Sequence, residues 1–253
     1  MLLIKRFSPY LTGVLIFVCF LLMVFLPTLI WFLFALVNLY LVLTVLLFSD
    51  QKFDTEILKY FLTPFLLFWS VFLFFLFLEN PFAKLGVALV SSFLITVYLD
   101  QLFFYRFMYE RYQAKALENL SLYLAIIITF FVSSSLFGFY IFLHAPRSLL
   151  LVGILALNIA LNYYVFWILK TNFWESLPFI AVLSLVSFET FYVMTFLPTS
   201  FAVNGAILAV LYYLALGMIR YHFLQRLEFA VIRRHLIIGL IILISVVATA
   251  RWT

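Results

Sequence analysis

The sequence holds a single cysteine, only seven glycines and few charged residues among its 253 positions. With Cys19 alone, neither an intrachain disulfide nor a cysteine-based metal site can form. Charged types make up 10% of the chain and apolar types 68%, whereas an ordinary soluble domain is roughly a quarter charged and half apolar. Because too few polar residues remain to cover a soluble protein of this size, the composition excludes that class and indicates a membrane protein.

The common signatures of enzyme active sites are also missing from the sequence. It has no His-Glu-x-x-His, no phosphate-binding loop and no glycine-rich dinucleotide fingerprint, and no nucleophile-elbow serine motif. The three histidines, His144, His222 and His235, lie in predicted turns or loops, so ligation of haem within the membrane is unsupported. We therefore assign no catalytic residue, no metal site and no cofactor.

Long apolar runs recur along the whole chain and predict membrane-spanning helices. About 20 apolar residues are enough to cross the hydrocarbon layer as a helix, and no alternating pattern of a barrel occurs. The sequence thus predicts an all-α, polytopic transmembrane helical bundle within one integral membrane domain, residues 1–253. The nine predicted spans are about residues 9–26, 29–48, 57–78, 85–105, 119–143, 149–169, 177–197, 202–219 and 236–250.

The first and last runs each leave an alternative open. The first follows Lys5 and Arg6 as a signal peptide would, but it is long and has no small-x-small cleavage site, so we expect it to be retained. The last clean run, residues 236–250, is shorter than the usual span. We expect nine spans; the alternative is eight spans with an interfacial C-terminal helix.

Four proline-containing turns suggest that the spans are arranged as hairpins. Each turn follows an aromatic residue and a leucine, at Pro27, Pro81, Pro146 and Pro198. The predicted hairpins cover about residues 9–48, 57–105, 119–169 and 177–219, with an extra helix at 236–250. They would be parallel repeats, because all enter the membrane from the same side. The alternative is that Phe, Leu and Pro are simply common at the ends of membrane helices.

The distribution of lysine and arginine predicts the orientation. With the N-terminus in the cytoplasm, twelve cations fall on the inner side and three on the outer side, and the reverse orientation inverts this ratio. The inner cations are Lys5, Arg6, Lys52, Lys59, Arg106, Arg111, Lys115, Lys170, Arg220, Arg226, Arg233 and Arg234, and the outer ones are Lys84, Arg147 and Arg251. We expect a cell (plasma or inner) membrane protein whose proline turns face outward.

Two inner segments, residues 106–118 and 220–235, mix basic and aromatic residues. Each lysine or arginine there would attract anionic lipid by about 1 kcal/mol. The alternative is that both segments are ordinary inner-side anchors. Attraction to a membrane surface already accounts for the net charge of +5. We therefore expect the lipid bilayer to be a partner and nucleic acid not to be one. An unidentified protein partner is also possible.

Glu189 is the candidate for function within the membrane, since it lies inside the seventh apolar run. An acidic side chain at the centre of a membrane helix costs about 2.5–3.5 kcal/mol, and such groups usually mark a functional site. It could relay protons, bind a cation or clamp two helices. The alternative is a neutral carboxyl that hydrogen-bonds to a neighbouring Ser, Thr or Tyr.

Other polar residues extend this candidate intramembrane site. Ser70, Ser135 and Glu189 each lie seven residues before the phenylalanine of a turn, so they would share one depth if the hairpins repeat. Asn158 and Asn162 are four residues apart and share a helix face. Interhelical hydrogen bonds are the default interpretation of these amides, and a substrate contact is the alternative.

Two structural contacts are also predicted. Asp100 and Lys59 lie at similar depth on the two helices of one hairpin, so we expect an ion pair. Small residues four apart, in Ala156/Ala160, Ser134/Gly138 and Gly205/Ala209, predict close helix contacts.

Three hypotheses for function survive. The first is a non-catalytic membrane scaffold or subunit, favoured because no loop is long enough to build a soluble site. The second is a transporter or lipid-handling protein that uses Glu189 and the Asn158/Asn162 face, and it predicts a water-accessible cavity reaching Glu189. The third is a membrane enzyme acting on a lipid-linked substrate, with its charged groups drawn from segments 106–118 and 220–235.

Overall fold

The structure is a computed structural model and describes residues 2–49, 55–223, 225 and 228–250. Within them the chain is all-α, and nine helices are long and apolar enough to cross a membrane, which confirms the predicted fold class. Three of the cations that set the predicted orientation, Lys52, Arg226 and Arg251, lie outside the described residues. The helices are α1 (Leu2–Phe25), α2 (Ile30–Ser49), α3 (Thr55–Phe77), α4 (Pro81–Phe107), α5 (Ala116–Leu143), α6 (Arg147–Ile168), α7 (Phe173–Met194), α8 (Phe201–Phe223) and α9 (Phe229–Thr249).

Most helices extend beyond the predicted spans, because an apolar run marks only the part of a helix that lies in hydrocarbon. The largest extensions are in α1, which begins at Leu2, and in α9, which begins at Phe229 and so includes Arg233 and Arg234. The 21 residues of α9 give a length of about 31 Å, close to the thickness of the hydrocarbon layer, about 30 Å. With α9, nine of the described helices are long and apolar enough to cross a membrane, as the nine-span prediction requires.

Short polar caps start several of the helices. Pro81 is the first residue of α4, where its missing N–H has no helical partner to lose, and the Asn80 side chain accepts a hydrogen bond from the Phe82 N–H at 2.9 Å. Asn172 accepts from the Trp174 N–H at the start of α7. These caps satisfy backbone donors that would otherwise be exposed at the helix ends.

The contacts group the chain into two compact units, residues 1–124 and 125–253, with the boundary inside α5. The predictions of a single domain and of four repeated hairpins stay predictions. In the first unit α1 packs along α4, and α2 and α3 pack on these two helices. The closest approach is at Gly13, where an added methyl group would meet the Thr96 hydroxyl and the Ser92 carbonyl oxygen.

In the second unit α6 packs on α7, α7 on α8 and α8 on α9. Its core includes the stacked rings of Phe137 and Phe191, with centroids 4.3 Å apart. Gly205 of α8 lies directly against Ser134 of α5, so two of the predicted small-residue positions do meet. Ala156 and Ala160 are exposed and contribute no such contact.

Candidate functional site

The predicted polar residues lie in different environments. Ser70 and Ser135 are buried, and each hydroxyl donates to a carbonyl of its own helix, at Leu67 (2.8 Å) and Phe131 (2.7 Å). Glu189 is exposed, so it is not brought together with the buried Ser135 of the same unit. That Ser70, Ser135 and Glu189 form one polar site at a shared depth stays a prediction.

Glu189 lies on an outward-facing side of α7. It is five residues from the end of the helix, or about 8 Å along its axis. Leu185, Val186 and Val193, which are one turn away, are also exposed, as is Tyr192, so the carboxyl group lies on a mainly apolar surface. Within the described part of the chain it has neither a hydrogen-bond nor an ion-pair partner. The Glu189 face is defined as Glu189 with Leu185, Val186 and Val193.

The two asparagines of α6 are both buried, but only one joins other helices. The Asn162 amide donates to the Ser184 hydroxyl of α7 at 3.1 Å, and its carbonyl oxygen accepts from the Tyr212 hydroxyl of α8 at 2.8 Å. Asn158 donates to the Ile154 carbonyl of its own helix. Its Oδ1 has no partner among the described residues. Asn162 therefore acts as a polar clamp between three helices.

Asp100 of α4 interacts with α1, which the sequence analysis did not predict. Its carboxylate oxygen accepts from the Arg6 guanidinium at 3.2 Å and from the Tyr10 hydroxyl at 3.2 Å. The Arg6 guanidinium also lies 4.6 Å from the centroid of the Phe104 ring, a favourable cation–π distance. Lys59 of α3 makes interactions of its own. The predicted ion pair between Lys59 and Asp100 stays a prediction.

A buried hydrogen bond compensates for a proline in the middle of α3. Pro64 has no N–H, so the Tyr60 carbonyl, four residues earlier, loses its helical donor. The Tyr98 hydroxyl of α4 donates to that carbonyl at 2.8 Å and is also 3.2 Å from the Ser121 hydroxyl of α5. In the sequence, Pro64 indicates that a carbonyl of α3 lacks its helical donor. It does not indicate which side chain supplies the missing donor.

A second group missed by the sequence analysis surrounds Glu118, in the first turn of α5. Its two carboxylate oxygens each accept from a phenol at 3.4 Å, one from Tyr60 and one from Tyr112. Burial raises the pKa of Tyr112 to about 12, so this phenol keeps its proton at neutral pH and donates. The group ties the 108–115 connection to α3 and α5.

Among the described residues, Glu189 does not line any of the following three surface clefts. One lies between α1 and α4, and one is formed by the adjoining ends of α7 and α8 around Glu175 and His222. The third lies on α9 beside Arg233 and Arg234. In the part of the chain that the structure describes, no three His, Cys, Asp or Glu side chains cluster in a way that could hold a metal ion.

The nine apolar helices among the described residues define the chain as a multi-pass integral membrane protein. No known protein family, curated protein or solved structure matches it. A more specific function therefore has to be argued from the polar groups of the chain itself.

Proposed function

We propose that this chain is a non-catalytic subunit or scaffold of a membrane assembly, and that a transmembrane helix of another membrane protein binds the Glu189 face. The observation that carries the proposal is the position of Glu189, an acidic side chain exposed at membrane depth among apolar neighbours. An ordinary lipid-facing surface would have only apolar side chains there.

The energetics favour a partner with a complementary group. A carboxyl group at the centre of a membrane helix costs about 2.5–3.5 kcal/mol when nothing compensates for it, which is the upper limit for Glu189, five residues from the end of α7. The described residues of this chain supply no donor to Glu189, so a donor on another membrane protein would compensate for this cost. A partner helix with a lysine, an arginine or a hydroxyl at the same depth would supply one, and an interhelical hydrogen bond of this kind contributes about 1–2 kcal/mol in model peptides.

The remaining polar groups support an assembly role over transport. The buried Asn162 amide is fully engaged in holding α6, α7 and α8 together. Glu189 lies on the outside of α7 and lines none of the clefts described above. A transport role for Glu189 would instead need the carboxyl group to face a water-accessible path through the protein.

Photocrosslinking tests the partner directly. A photoreactive amino acid placed at Val186 or Val193, beside Glu189, is expected to give one discrete protein adduct in native membranes. Glu189→Leu should reduce the yield of this adduct about tenfold, the equivalent of one interhelical hydrogen bond. Glu175→Gln is the matched control, because Glu175 is an exposed acid in the first turn of the same helix, and it should leave the yield unchanged.

Three outcomes would overturn the proposal. Crosslinks to lipid alone would mean that the Glu189 face has no protein partner. An adduct of twice the mass of this chain would identify a second copy instead of a different protein. Substrate uptake that depends on pH and is lost in Glu189→Gln, without any protein adduct, would support the transport hypothesis.

Once a partner is identified, the loss of binding in Glu189→Lys should be rescued by an acidic substitution of the partner's basic residue.

We also propose a cell-membrane location with the N-terminus in the cytoplasm, supported by the twelve-to-three distribution of cations. In intact cells, an impermeant thiol reagent should label a cysteine introduced at Ser148, at the start of α6 beside the third proline turn. It should label one at Gln113, in the 108–115 connection, only after the membrane is opened. Both side chains are exposed, and the native Cys19 is buried. The opposite labelling pattern would reverse the proposed orientation.

A further inference from the structure

We propose that α9 carries a binding site for one anionic phospholipid, with the lipid phosphate between Arg233 and Arg234 and an acyl chain along the exposed isoleucines of the same helix. This inference is independent of the Glu189 face. It starts from a surface cleft on α9 that combines two guanidinium groups with aliphatic side chains. The cleft is lined by Ala230, Val231, Arg233, Arg234, Ile237 and Ile238.

One side of α9 is free of contact with α8. The packing on α8 is close where Gly239 lies against Leu214 and where His235 lies against Gly217. Gly239 is the one buried residue of α9, and the chain covers less of this helix than of any other spanning helix described. The stability of α9 in the membrane therefore depends on lipid more than that of the other helices.

The arginines flank a single aliphatic stripe. At about 100° per residue, Ile237, Ile241 and Ile244 project within about 60° of one another, and Arg233 and Arg234 lie on either side of this sector. The three isoleucines are 49%, 58% and 56% exposed. The arrangement matches the shape of a phospholipid, because a charged group at one end continues into an apolar chain.

The two arginines lack an acidic partner in the described part of the chain. Both are exposed, and Arg234 donates to the Tyr221 hydroxyl of α8 at 3.4 Å, which directs it without neutralising it. Arginine binds phosphate through two parallel hydrogen bonds and is less strongly hydrated than lysine. A phosphate would thus supply the negative charge that the protein does not.

The depth of the arginines also fits a lipid headgroup. The apolar run after them, residues 236–250, spans about 22 Å as a helix, shorter than a hydrocarbon layer of about 30 Å. The arginine side chains can extend toward the interface to compensate for the difference. Their guanidinium groups then lie at the level of the phosphates. The aliphatic stripe favours a lipid over a free anion, which would use the charge but not the isoleucines.

The test uses the purified full chain in a neutral detergent, titrated with phosphatidylglycerol and followed by native mass spectrometry. The wild type should bind one lipid at low concentration. Arg233→Ala with Arg234→Ala should weaken this binding about 30-fold, from about 1 kcal/mol for each cation. The matched control is Arg106→Ala with Arg111→Ala, two exposed cations of the other basic segment, which should change the affinity less than threefold. Phosphatidylcholine should bind weakly, and inorganic phosphate should not compete.

Equal losses in the two double variants would overturn the site, because they would indicate a general effect of surface charge. Competition by inorganic phosphate at the same concentration as the lipid would identify a free anion as the ligand. Arg233→Lys with Arg234→Lys keeps the charge needed for insertion and should weaken binding about fivefold through the loss of paired hydrogen bonds. Undiminished binding by this variant would rule out bidentate recognition of the phosphate.

Discussion

Replacing Gly205 with alanine should destabilise the chain by about 3 kcal/mol, the upper range for overpacking a filled interface. A methyl group at Gly205 would lie 2.8 Å from the backbone nitrogen and 2.9 Å from the Cα atom of Ser134. Since these are backbone atoms, no side-chain rotation relieves the clash, and α5 and α8 have to move apart. The Ser133 hydroxyl, which is 3.5 Å from the Gly205 carbonyl, would lose this contact as well.

The matched control for this prediction is Gly153→Ala on α6. Nothing lies within 4 Å of a methyl group at Gly153, and alanine is the better helix former by about 1 kcal/mol. We expect this variant to be neutral or slightly stabilising. Unfolding free energies of both variants, measured by denaturation in mixed micelles, check the difference. Equal values would show that the α5–α8 contact is not as close as the structure has it.

Tyr98→Phe should destabilise the chain by about 2 kcal/mol, because it leaves the buried Tyr60 carbonyl without a donor. In an uninterrupted helix this substitution would remove a side-chain hydrogen bond and nothing more. Here Pro64 has already removed the helical donor, so the Tyr98 hydroxyl is what satisfies the carbonyl at 2.8 Å.

A double-mutant cycle separates this explanation from a general packing effect. Pro64→Ala restores an N–H that can donate to the Tyr60 carbonyl, so in that background Tyr98→Phe should cost less than about 1 kcal/mol, the typical net value of one hydrogen bond. Tyr123→Phe is the control, since Tyr123 is an exposed tyrosine of the same unit. An unchanged cost of Tyr98→Phe after Pro64→Ala would rule out the compensation.

The candidate site illustrates how far the sequence could be interpreted. An ionisable residue inside an apolar run is visible in the sequence, so Glu189 was identified. The outward position of Glu189 was not identified, because a helix face that meets lipid and one that meets the protein interior are both apolar. The sequence of α7 does not distinguish these two faces. For the same reason Asn158 and Asn162 look equivalent in sequence, although only Asn162 joins three helices.

The contacts of Asp100 also show that the sequence does not determine which side chains pair across helices. The hairpin pattern suggested Lys59 as the partner of Asp100, since the two are on consecutive helices. The carboxylate also has partners that the hairpin pattern did not suggest, Arg6 and Tyr10, which lie 94 and 90 positions earlier in the chain. Which helices become neighbours depends on the packing of their surfaces, and hydropathy contains no information on that.

The sequence by itself determined that this protein is a helical membrane protein with nine predicted spans, because hydrocarbon excludes unpaired backbone groups and all apolar runs but the last have about the required length. It also identified the charged and polar positions that need an explanation. Only the tertiary structure decided that Glu189 faces outward, that Gly205 meets Ser134 and that Tyr98 completes the hydrogen bonding of α3. These contacts depend on side-chain shape and direction across helices distant in the chain, which no local pattern of apolar residues encodes.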